Sequence, residues 1–217
     1  MAQRLEYLRA LGIPILWFCR GDHLAERPEV GVQALRDGHT LGNHSWSHPR
    51  FSQLTLEEAR VEIDRTEEIL DEIHLRAGVV RDLRCFRFPY EDRLGSAQHQ
   101  ADLQELLRSR SFEPPRLPSV VHAGFRERDA AQDLAWSFTM DLEDWMLKPS
   151  DSPEAAATLR KVLDRLETEV PSRPFGLEVF AGHDHSHTAG QWEAVLIRLM
   201  DLDCEFLSPG QARALPG

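Results

Sequence analysis

The 217-residue chain is predicted to fold as one α/β domain built on a parallel sheet or barrel, and three observations predict it. Short apolar runs alternate with amphipathic stretches from end to end, the mark of strand-then-helix units whose strands are buried on both faces. Polar, chemistry-bearing residues gather just after the expected strands, where α/β barrels keep their active sites. No repeat, low-complexity tract or linker divides residues 1–217, and barrels of this length are routinely single domains.

Taken in order, residues 3–11 read as a helix that Gly12-Ile13-Pro14 ends, and Ile15 to Cys19 is a continuous apolar run suited to a buried parallel strand. A helix follows Pro28 and stops near Gly38, giving way to a strand end at residues 40–43. Thr55 with Glu58 three residues on forms a capping-box pattern, opening a long helix to about Ala77 with the apolar stripe Ala59, Ile63, Leu70 and Ile73. Residues 84–88 are the next strand and 97–110 the next helix. Residues 113–133, with three prolines near their start, read as a loop or insertion carrying one short strand. Residues 136–140 are strand-like, Pro153 to Val170 helical, 176–181 a strand, 191–201 a helix and 204–207 a final strand.

Composition narrows the functional classes. A 41% hydrophobic and 28% charged chain is ordinary for a globular protein, and no apolar run approaches the roughly 20 residues of an integral membrane span. The net charge of −11 argues against nucleic acid or anionic lipid as a partner through a general basic face. Cys19, Cys85 and Cys204 are odd in number, scattered and set in apolar surroundings, so they read as buried free thiols. The N-terminus lacks the apolar core of a signal peptide. As written the product is expected to be cytoplasmic; a true start upstream of Met1 would make the cell envelope or secretion possible.

Each polar cluster sits at the carboxyl end of an expected strand. His44 and His48 follow the second; Arg87, Pro89 and Tyr90 the third; Asp141, Asp144 and Trp145 the fourth; His183, Asp184, His185 and His187 the fifth. Two imidazoles four residues apart can reach one divalent ion. With 10 His in the chain such a pair also arises by chance, and a catalytic site would need a third ligand. Asp144 can pair with Arg87, and Trp145 suits stacking on a sugar ring. His183 can protonate a leaving amine. His185 and His187 read as loop residues, and Asp22 with His23 as a solvated turn.

In this order, Gly-Asn-His-Ser-x-x-His-Pro (42–49), Arg-Phe-Pro-Tyr (87–90), Asp-x-x-Asp-Trp (141–145) and Phe-Ala-Gly-His-Asp (180–184) resemble the polysaccharide deacetylases, the NodB-homology carbohydrate esterases of family 4. The resemblance implies a distorted (β/α) barrel and removal of acetyl groups from an acetylated carbohydrate with a divalent ion, commonly zinc. It further implies His44 and His48 as metal ligands and Arg87 as the residue that orients a catalytic base. The Tyr90 backbone N–H would hold the oxyanion, Asp144 would support Arg87, and His183 would be the acid.

One motif is missing. The family's Thr-Phe-Asp-Asp-Gly, which supplies base and third ligand from the first strand, has no counterpart, for the chain contains no Asp-Asp pair. The barrel is therefore expected to lack its first strand, either because the protein begins upstream of this N-terminally truncated chain or because its base has been lost. Retention of four other clusters favours the first account. Asp22 follows the wrong strand to replace the pair. A deacetylase impaired by the missing aspartates is the leading expectation, and a non-catalytic carbohydrate-binding or regulatory protein on the same fold is the alternative. Oligomeric state is not readable, but the open barrel edge predicts association or poor solubility.

Overall fold

The computed structural model describes residues 2–141, 153–172, 176–183 and 189–216. After helix α1 (Ala2–Leu11), the first apolar run forms β1 (Leu16–Cys19). Helices α2 (Gly21–Glu26) and α3 (Pro28–Arg36) lead to β2 (Thr40–Asn43), which pairs with β1 in parallel, Leu16 opposite Thr40 and Cys19 opposite Asn43. Parallel bridges Asn43–Phe86 and Phe86–Ala135 carry the row onward. Farther along, β3 (Met140–Asp141) pairs in parallel with β4 (Phe180–Ala181). This succession is the distorted (β/α) barrel expected, built as a partial ring.

The longest helix, α4 (Leu56–Ala77), is fixed at both ends by local sequence. Thr55 accepts from the Glu58 N–H while Glu58 accepts from Thr55, and Gly78 closes the helix with a left-handed φ of 71°. Its stripe Ala59, Ile63, Leu70 and Ile73 is fully buried, packing on α2, α3 and β2. Each large side chain there contributes about 1.5–3 kcal/mol. Beyond it come α5 (Ala97–Ser109), α6 (Ala123–Ala130), α7 (Pro153–Glu169), α8 (Ala189–Asp201) and α9 (Pro209–Arg213). Cys19 and Cys85 are buried free thiols as expected, and burial pushes Cys85 up to about 12; Cys204 is half-buried.

The helices stand where the sequence placed them, but the later strands do not. Residues 84–88 keep only the bridges at Phe86, because Pro89 brings the chain into a 3₁₀ turn at once. The segments at 136–140 and 176–181 shrink to the two-residue β3 and β4. Residues 204–207 form no ladder among the described residues. Residues 113–133 hold α6 rather than a short strand, anchored by the buried Phe125. The turn at Asp22 is the first turn of α2.

Among the described residues, one side of the ring is open. Thr40 N–H and His44 N–H donate to Ile15 and Cys19 carbonyls, so the odd residues of β1 face β2, and Leu16 and Phe18 turn their main-chain groups the other way. There β1 and residues 204–207 line the same cavity. At about 2650 Å³ it is several times the ~300–1,000 Å³ of a small-molecule pocket. It is the interior of the partial ring, and His44, His48, Arg87, Tyr90, Asp141 and His183 lie along its wall.

Candidate functional site

The turn after β2 carries the two histidines, and its shape is set by hydrogen bonds to side chains. Asn43, fully buried, accepts the Ser45 N–H on Oδ1 (2.8 Å), and Ser45 Oγ accepts the His48 N–H (3.0 Å). Gly21 N–H donates to the Ser45 carbonyl at 3.0 Å, tying the turn to the start of α2. Ser45 and His48 both hold positive φ, 64° and 66°, a conformation non-glycine residues adopt only when the surroundings impose it.

That turn points both imidazoles at one place. His44 Nδ1 lies 2.8 Å from the Arg87 carbonyl; because a carbonyl only accepts, Nδ1 carries the proton and Nε2 presents its lone pair. His48 Nε2 stands 3.2 Å from that Nε2. Burial, reinforced by His48, Arg87 and His183 against the pull of the Arg87 carbonyl, holds His44 down at about 3. Burial, then Arg20 and His183, lower His48 as well. Both rings are neutral at pH 7, the state a metal ligand requires.

The other predicted residues are placed unequally. Arg87, His183 and Tyr90 line the same cavity as His44 and His48. Tyr90 has a left-handed φ of 58° and sets its ring 4.6 Å from that of His48, with the Arg50 guanidinium 4.5 Å from the ring centre. The His183 carbonyl accepts from Arg4 Nη1 (3.0 Å) and Trp192 Nε1 (3.1 Å). Asp144, Trp145, Asp184, His185 and His187 lie outside the described residues. Asp22 is engaged by Arg20 at 2.5 and 3.1 Å. Among the described residues, no third His, Cys, Asp or Glu joins the histidine pair.

Sequence reasoning missed Glu91. Its Oε1 accepts from Arg87 Nε at 2.8 Å and its Oε2 from Ser137 Oγ at 3.0 Å, with Arg93 and Arg128 at 3.7 and 3.6 Å. Arg87 also lies 5.0 Å from the Phe138 ring centre. The partner expected for Arg87 was Asp144, while the described carboxylate comes from its own turn, four residues on. That i,i+4 spacing was the only signal, and nothing in it distinguishes a site residue from an ordinary surface pair.

The family model described as polysaccharide deacetylase matches residues 1–106. Over 71 residues, 33% of this chain and 15% of the relative, the sequence is 37% identical to the peptidoglycan-N-acetylmuramic acid deacetylase of Bacillus subtilis strain 168. Residues 1–106, just under half of the chain, carry the sequence of the polysaccharide deacetylase family. Its matches span under a third of the length of the first curated family relatives. The family fold extends through the second half as well: a family 4 carbohydrate esterase from Streptomyces lividans, solved with acetate, superposes with a TM-score of 0.65 at 19% identity, over 99% of this chain and 90% of that one. A family 4 pseudoenzyme from Bacillus anthracis superposes at 0.60 and 16% identity, over 94% of this chain and 57% of that one.

Proposed function

We propose that this chain is the scaffold of a divalent-metal-dependent hydrolase that removes acetyl groups from an N-acetylated carbohydrate, impaired for want of a carboxylate at its metal site. The observation that carries this reading is the convergence of His44 and His48 at 3.2 Å between Nε2 atoms. A tetrahedral ion held at about 2.0–2.1 Å needs nitrogens about 3.3–3.4 Å apart. The spacing of the pair suits one such ion, and the Arg87 carbonyl is an outer partner that can orient a ligating imidazole.

A bound divalent ion would polarise the acetyl carbonyl and acidify a water. The chain's own residues have the remaining roles. The Tyr90 backbone N–H would donate to the developing oxyanion. His183 would hold a proton for the departing amine. Arg87, kept in place by Glu91, would orient an attacking group. Among the described residues, two nitrogen donors are one short of the usual three protein ligands, which is the ground for impairment.

The non-catalytic reading draws on the same shortage of a third donor among the described residues. One experiment separates them: cobalt(II) or zinc titration with an acetate-release assay on an N-acetylated chitooligosaccharide, for the wild type and His44→Ala. The deacetylase reading expects one weakly held ion, slow acetate release, and loss of both in the variant. Oligosaccharide binding with no acetate release, unchanged in His44→Ala, would leave only the binding protein.

A further inference from the structure

The histidine turn depends on a residue of α4 that is remote in sequence. Asn43 Nδ2 donates to Glu67 Oε1 (3.0 Å) and to the Ile63 carbonyl (3.1 Å), while its Oδ1 receives the Ser45 N–H (2.8 Å). An amide side chain presents donor and acceptor on opposite sides, so the two acceptors beside Nδ2, the Glu67 carboxylate and the Ile63 carbonyl, together decide which way it faces. Were the amide reversed, Nδ2 would meet the Ser45 N–H donor to donor. Asn43 is fully buried and Glu67 nearly so.

Glu67 is itself held. Arg81 binds it with two nitrogens, each at 2.9 Å, and Arg84 binds it through Nη1. The Arg81 side chain is only 5% exposed, and Arg84 shares Asp71 with it. A surface staple between α4 and the following loop would not need its carboxylate turned inward on Asn43. A line of contacts thus runs from Arg81 and Arg84 through Glu67 and Asn43 to the backbones of Ser45 and His48.

We propose that Glu67 is a positioning residue for the His44–His48 pair, fixing the Asn43 amide and, through it, the turn that brings the two Nε2 atoms together. The metal part of this inference rests on the function proposed above; the turn geometry does not. The test follows residue-level amide hydrogen exchange and cobalt(II) affinity in wild type, Glu67→Gln, Asn43→Ala and the double variant. Glu67→Gln is expected to speed exchange at Ser45 and His48 while leaving the middle of α4 protected. It should also weaken cobalt binding roughly tenfold, the scale of an outer-shell partner.

Because both residues act along one line, the double variant should bind cobalt no more weakly than Asn43→Ala alone. Unchanged exchange at Ser45 and His48, a uniform rise across α4, or additive losses would each overturn the proposal. If the wild type binds no cobalt, the metal reading fails and exchange alone decides the positioning role. Should Glu67→Gln not fold because Arg81 is left buried without its partner, Glu67→Gln with Arg81→Met removes that charge and is read in the same way.

Discussion

His44 couples the site to acidity. An unfolded imidazole takes up its proton near 6.5, whereas the folded His44 does so at about 3. Above pH 6.5 both states are neutral and this residue gives no pH dependence; below it the unfolded chain binds the proton first, so stability falls as pH drops from about 6.5 towards 3. The unfolding free energy of wild type, measured by denaturant melts, should therefore fall more steeply between pH 6.5 and 4.5 than that of His44→Gln, by at most about 1.4 kcal/mol per pH unit. Equal acid slopes would show that His44 is not held neutral. At this scale the sequence exposed residues whose type and spacing carry the signal: the His pair, Arg87 and His183 all line one cavity. Glu67 stayed hidden because its contact with Asn43 crosses 24 residues, a juxtaposition that only packing of α4 against β2 creates. Glu91 stayed hidden because its i,i+4 spacing from Arg87 is that of an ordinary surface pair.

Helices proved far more legible than strands, for a physical reason. A helix satisfies its backbone within one segment, so Thr55 and Gly78 mark the ends of α4 without reference to anything else. A strand needs a neighbour, and residues 204–207 read as one yet face a cavity. The short α2 leaves no sequence signal because six residues carry no period, and its start is tied down by Gly21 reaching across to Ser45. Two substitutions probe these elements. Thr55→Ala removes the reciprocal cap and should cost about 1 kcal/mol, a drop of roughly 2–4 °C in melting temperature for a chain of this size. No change would show that tertiary packing alone sets the start of α4. Gly42→Ala is expected to cost more, about 1–3 kcal/mol. Its Cβ would lie 2.8 Å from the Phe18 ring and 2.9 Å from Cys85 Sγ, and the Phe18 ring in turn neighbours His44. A neutral result in thermal melts would mean that Phe18 yields freely into the open cavity.

At the scale of the whole molecule, two opposed forces act on the open side of the barrel. The main chain of Leu16 and Phe18 is turned away from β2, and half-buried Leu16, Trp17, Phe18, Phe206 and Leu207 line the cavity behind it. An edge unpaired among the described residues and backed by apolar surface is a template for pairing with another chain. Against this stands a net charge of −11, which repels copies of the chain from one another. Repulsion between like-charged surfaces is screened over about 10 Å at 0.1 M salt and about 3 Å at 1 M; apolar burial and main-chain hydrogen bonds are not weakened in the same way. Salt should therefore tip the balance towards association. The expected outcome is a chain that sediments mostly as monomer near 0.02 M salt, shifts to larger species near 0.5 M, and binds a hydrophobic dye at both. A single monomeric species across that range, with no dye bound, would mean that the edge of β1 and the cavity wall are closed to partners in solution.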